Sequence, residues 1–96
     1  KIDGLQWEDV AYSPLNSGLF AACLQRGDVK GIFCGHDHEN DFRGTYAGIE
    51  LGYDGYLSYH ACHYEELRGG RLFTLKEENP GKLESKMVLV KDFERK

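Results

Sequence analysis

The residues best equipped for chemistry crowd into one stretch, "GIFCGHDHENDFRG" at residues 31–44, where His36 and His38 stand one residue apart after a short apolar run. Neutral imidazole ligates Zn, Fe, Mn or Ni. On an extended chain, side chains two apart point the same way, so both rings can face one pocket. Such a pair holds one metal, or reaches two metals set about 3.5–4 Å apart. Gly35, just before the pair, removes a side chain where the backbone must pass close to a ligand. Asp37, Asn40 and Asp41 are candidates to orient the imidazoles, because a ligating histidine gives its second N–H to a carboxylate or carbonyl. The plainer reading of "END" is a polar turn. A bare His-x-His pair is also found without any ligand, and its position after a buried strand is what favours the metal.

Other candidates are weaker. His60 and His63 flank Cys62 in "YHACHYEE", and with Cys34 they offer zinc-type donors, but nothing there reads as the stable helix that such a spacing needs. Cys34 closes an apolar strand, where cysteine acts as a small hydrophobe rather than a nucleophile. The six tyrosines either stack on a substrate ring or fill a small core. The "KEENPGKLE" cluster is a solvated turn.

The elements that must position the histidines can be read in order. Residues 1–16 show no sustained period and contain Pro14, so they form a loop. Asn16 or Ser17 caps a helix whose Leu19, Phe20, Cys23 and Leu24 share one face, with Arg26 in the last turn and Gly27 as the stop. A strand over about residues 29–34, "VKGIFC", reads as buried on both faces of a sheet. Next, "TYAGIELGY" suggests a short hairpin interrupted by Gly48, followed by a long Gly- and Tyr-rich loop. Finally, "RLFTLKE" and "LESKMVLVKD", joined by "ENPGK", form an antiparallel hairpin. Residues 1–96 are thus one small α/β unit, and the histidine pair falls at the carboxyl end of a strand, where open α/β sheets bind ligands.

Composition narrows the classes. With 96 residues there is room for a single, marginal core. No apolar run approaches the roughly 20 residues of a membrane span. A formal charge of −4 without a basic stripe argues against a nucleic-acid partner, and it leaves any phosphate-bearing substrate in need of positive charge from elsewhere, such as a metal. Three cysteines without a CxxC pair argue against a disulfide framework or zinc ribbon and leave the compartment open.

The run "NSGLFAACLQRGDVKGIFCGHDHENDFRGTYAGIELGY" resembles the C-terminal half of the calcineurin-like metallophosphoesterases, in the branch related to purple acid phosphatases; the likeness extends over about residues 13–60. The resemblance implies a four-layer α/β/β/α sandwich ending in antiparallel strands. It also implies a dinuclear centre of Mn, Zn or Fe that hydrolyses phosphate mono- or diesters. His36 then looks like the ligand of one metal and His38 the ligand of the other, with Tyr53 and His60 bordering the cleft. The earlier family motifs, DxH, GDxxD and GNH(E/D), do not occur in this chain. The chain therefore reads as the C-terminal part of such a domain. Its expected partners are the missing N-terminal half, a phosphate ester and a second copy packed on exposed apolar surface, and alone it is expected to be hydrolytically silent. The alternative is a free-standing α/β binding module without catalysis.

Overall fold

The computed structural model describes residues 2–58 and 67–93. The chain runs through β1 (Ile2–Asp3), α1 (Leu19–Arg26), β2 (Gly31–Cys34), β3 (Arg43–Tyr46), β4 (Ile49–Tyr53), β5 (Gly69–Thr74) and β6 (Glu84–Leu89), and closes with a 3-10 turn at Val90–Phe93. Helix α1 begins one residue later than its polar flank suggests. Gly18 is its N-cap at φ 87, and Asn16 acts from outside, its Oδ1 accepting the Gly18 N–H at 2.9 Å. Gly27 ends it in the left-handed region at φ 84, donating its N–H to the Cys23 carbonyl at 3.2 Å.

Between β3 and β4 the chain reverses through Ala47 at φ 52 and Gly48 at φ 83. Two consecutive positive φ angles are what a type I′ turn requires, and its twist matches that of the flanking strands. Gly48 therefore makes the hairpin rather than interrupting it. The resulting sheet has the order β1-β3-β4-β2, antiparallel except for β2, which runs parallel to β4 from Gly31 opposite Glu50 to Cys34 opposite Tyr53.

Strand β2 departs from its expected double burial. Among the described residues it is an edge of the sheet, paired with β4 on one side; its first three residues are half-buried and Cys34 is exposed, so Cys34 is not a buried small hydrophobe. The reason is a missing cover. Helix α1 buries none of its own residues, and so it does not seal the face next to β2.

Strands β5 and β6 form a second, antiparallel sheet, from Gly69 opposite Leu89 to Thr74 opposite Glu84. Gly69 is required where they meet, because a Cβ there would collide with the Val88 carbonyl. Arg71 on β5 ties the two sheets together. Its guanidinium donates to the carbonyls of Tyr53 at 2.9 Å and Asp41 at 2.8 Å and to Ser85 Oγ at 3.1 Å, while Phe33 and Phe73 meet edge to face at 4.7 Å. Among the described residues the buried apolar core is small, comprising Ile49, Tyr53, Tyr56 and Leu67. Among the described residues the architecture is thus a small α/β arrangement of one mixed sheet, one antiparallel pair and one α-helix. No helix among the described residues is long and apolar enough to cross a membrane.

Candidate metal site

Strand β2 delivers the chain to the histidines, and the backbone then stops being extended. His36 adopts φ 79, and a turn follows in which the Asn40 N–H donates to the Asp37 carbonyl at 3.1 Å. The alternation argument for placing His36 and His38 on one side assumed an extended chain. That premise fails here, so the directions of the two rings follow from the turn rather than from a period of two. The His36 side chain is 85% exposed. His38 is half-buried and stacks on Tyr56, with ring centroids 5.4 Å apart and planes 16° from parallel.

Asp37, between them, is buried and saturated with donors. Its Oδ2 accepts the Tyr53 hydroxyl at 2.6 Å and the Ala11 N–H at 3.0 Å, and its Oδ1 lies 3.0 Å from His36 Nδ1. These hydrogen bonds, the one from Tyr53 foremost and those from His36 and Ala11 after it, hold the Asp37 carboxyl below the usual carboxylate range. Tyr53 bears the reciprocal shift: burial first, then the Asp37 carboxylate, push its phenol up to about 12. The Asn40 amide nitrogen is buried without a well-formed hydrogen bond, and its closeness to the phenol pulls the other way. Tyr53, expected along the cleft, is a core residue with its hydroxyl turned onto Asp37.

Asn40 and Asp41 are buried as well, and "END" is more than a polar turn. Asn40 Oδ1 accepts the N–H groups of Trp7 and Glu8, both at 3.1 Å, and Asp41 Oδ1 accepts the Leu5 N–H at 2.7 Å. In return, Glu8 Oε1 accepts the Glu39 N–H at 2.9 Å. Backbone bonds from Trp7 N–H to the Glu39 carbonyl and from Asp41 N–H to the Leu5 carbonyl complete a strap, residues 5–11, laid along residues 37–41. Sequence reasoning missed this strap. Its donors are main-chain amides, which leave no residue signature, and the sequence offered no other clue.

Two further groups border the turn. Cys34 is exposed, yet its thiol is pushed up by the protein packed around it and then by the Asp37 and Asp54 carboxylates, which disfavours the thiolate. Asp54 is pushed up by burial, partly offset by Arg71, and its Oδ1 has no hydrogen-bond partner.

Comparison with known proteins supplies the relationship. The chain is 45% identical over 60 residues to an Arabidopsis thaliana protein named probable inactive purple acid phosphatase 14. It is 47% identical over 58 residues to probable inactive purple acid phosphatase 29, and 46% over 54 residues to probable inactive purple acid phosphatase 28, both from the same plant. Over these stretches the chain is similar to proteins named as purple acid phosphatases. These matches cover 62%, 60% and 56% of the chain, but only 15%, 15% and 14% of the relatives' lengths. No family model and no solved structure matches it.

The donor set of the turn bears on whether a metal fits. Among the described residues, no three His, Cys, Asp or Glu side chains gather into a metal-holding group. Both oxygens of Asp37 are already engaged, Oδ2 by the Tyr53 hydroxyl and the Ala11 N–H and Oδ1 by His36 Nδ1. That leaves the imidazoles: His36 with its Nδ1 engaged and its ring largely in solvent, and His38. They suit a contribution of two ligands to a site that other residues must complete. His60, Cys62 and His63 lie outside the described residues, and so does the zinc-type arrangement read from them.

Proposed function

We propose that this chain supplies His36 and His38 to a dinuclear centre of Mn, Zn or Fe that hydrolyses phosphate mono- or diesters. The rest of that centre comes from the N-terminal half of the same four-layer domain. The observation that carries the reading is the His36 arrangement: an exposed imidazole on the turn after β2, backed through Nδ1 by a buried carboxylate. That is the environment of a histidine ligand with its orienting partner. Bound metals would supply Lewis acidity toward the phosphoryl oxygens and lower the pKa of water. The chain's own residues hold the two imidazoles in place, with Asp37, Asn40 and Asp41 fastening the turn to the strap. The open edge of β2 and the uncovered α1 are where the N-terminal half, or in its absence a second copy of the chain, packs.

A second reading is favoured by the relatives' names, each of which includes the words "probable inactive". In that reading the turn is retained as structure and the protein binds without catalysis. Release of nitrophenol from p-nitrophenyl phosphate and its bis ester separates the two. The chain alone is expected to be silent, and the polypeptide with the upstream half restored to turn over with added metal and to stop in a His36→Ala, His38→Ala variant. Silence of the restored polypeptide would favour the non-catalytic reading, and metal-dependent turnover by the chain alone would refute the division of ligands proposed above.

A further inference from the structure

We infer that the cavity between the two sheets is an oxyanion site, in which Arg71 and Arg43 hold a phosphate group, free or as a monoester, apart from the two histidines. The cavity has a volume of about 530 Å3. It is lined by Arg43 and Asp41 on the side of the first sheet and by Arg71, Ser85 and Met87 on the side of the second, with Leu5 from the start of the strap. Neither His36 nor His38 lines it, and the inference does not rest on reading them as metal ligands.

Arg71 is a half-buried cation without a direct counterion. Three of its five N–H groups are used, and each ends on an uncharged acceptor: the carbonyls of Tyr53 and Asp41, and Ser85 Oγ. Among the described residues no carboxylate lies within ion-pair distance of its guanidinium. Withdrawing a charge from water without such a partner is costly. Burial first, then the neighbouring Arg43 guanidinium, pull the Arg71 pKa down, and the more distant Asp41, Asp54 and Glu50 carboxylates do not make this good. One N–H on each Nη stays unused, and a planar fork of this kind matches two oxygens of a phosphate group. The acids around the cavity are already engaged: Glu50 Oε1 accepts Arg43 Nη1 at 2.8 Å, Asp3 Oδ2 lies 3.6 Å from Arg43 Nη2, and Asp41 Oδ1 accepts the Leu5 N–H at 2.7 Å. Lys86 also lines the cavity, is exposed, and forms no ion pair among the described residues. A dianion set between the two guanidinium groups relieves their repulsion and supplies the oxygens that Arg71 lacks. Leu5 and Met87 add an apolar wall, and the cavity is larger than a bare phosphate ion, so the organic part of a monoester fits beside it.

Arginine Nε–H signals of the 15N-labelled chain, recorded at mildly acidic pH while inorganic phosphate is titrated in at constant ionic strength, provide the test. The expected result is a saturable shift of the Arg71 and Arg43 signals that sodium chloride does not produce. In Arg43→Met, which does not touch the three hydrogen bonds of Arg71, the affinity is expected to fall at least about tenfold. Phenyl phosphate separates the two sources of the group: binding tighter than phosphate assigns the site to monoesters through the apolar wall, and equal or weaker binding assigns it to the free ion. No saturable shift in the unmodified chain overturns the inference, and this arm needs no variant to fold. A shift that chloride reproduces overturns it as screening of surface charge, and an undiminished affinity in Arg43→Met overturns it equally. Shifts confined to the imidazole signals would overturn it too, by placing the phosphate at the histidines.

Discussion

Removing the Asp37 carboxylate should cost far more than its position in a polar turn suggests, and the structure says how much. In Asp37→Ala the Tyr53 hydroxyl, on a residue only 7% exposed, loses its acceptor, and the Ala11 N–H loses another. A hydrogen bond to a charged acceptor contributes roughly 1.5–3 kcal/mol, and a partly buried amide left unpaired costs about 1 kcal/mol. His36 adds little, since water replaces its partner. The expected loss is about 3–4 kcal/mol, a large share of the roughly 5–14 kcal/mol that holds a chain of this size together. Urea unfolding at neutral pH measures it, and a double-mutant cycle with Tyr53→Phe isolates the pair. Tyr53→Phe alone should cost about 1.5–2 kcal/mol, whereas in the Asp37→Ala background it removes a stranded hydroxyl and should be close to neutral, giving a coupling of about 1.5–2 kcal/mol. Additivity within about 0.5 kcal/mol would refute the claim that the carboxylate and the phenol act as one unit.

The pH dependence has a sign at each end. Because the folded Asp37 carboxyl lies below its unfolded value of about 3.9, its contribution is complete above that value and is lost as pH falls through the folded pKa, so the gap between the unmodified chain and Asp37→Asn should close only in strong acid. Tyr53 acts at the alkaline end: with its phenol raised to about 12 from 10.0, stability is lost as pH climbs through that window, and Tyr53→Phe should flatten the loss in pH-dependent urea midpoints. Asp54, raised by burial and with an unpartnered Oδ1, holds stability that is present below the unfolded carboxylate pKa and lost above it; Asp54→Asn should therefore raise the urea midpoint at pH 7, by less than about 1 kcal/mol, and the gain should vanish near pH 3. His36→Gly should stabilise the chain by about 0.5–1 kcal/mol in thermal unfolding by relieving φ 79, while weakening the metal-induced changes in the His38 signals; a destabilised variant would count against strain at this position. Arg71→Met, which keeps the bulk but loses three hydrogen bonds, two of them reaching from the second sheet to Tyr53 and Asp41, should lower the melting temperature by about 10–20 °C, and a shift under about 3 °C would mean the sheets do not depend on it.

Short-range features of this fold were legible in the sequence. The helix over residues 19–26 followed from apolar spacing and Gly27, both hairpins from their turn residues, and the polar turn at the end of β2 from an apolar run that stops at Gly35. Each depends on neighbours within a few positions, where propensity and periodicity act. The chemical types at the site were legible too: two imidazoles with a carboxylate between them. Tertiary structure alone decided what surrounds them. Whether β2 is buried depends on a neighbour it lacks, so an apolar run that reads as central became an edge. The directions of His36 and His38 depend on a left-handed residue that no periodicity reveals. Asp37, Asn40 and Asp41 turned from a surface turn into buried acceptors because residues 5–11, between 26 and 36 positions away, bring main-chain N–H groups to them. Every residue but proline carries such a donor, so nothing in the side-chain pattern marks which amide a carboxylate will find. The sequence by itself determined which groups are present and where the chain turns; only folding brought a backbone strap and a phenol against one carboxylate, and with them the orientation of the histidine it holds.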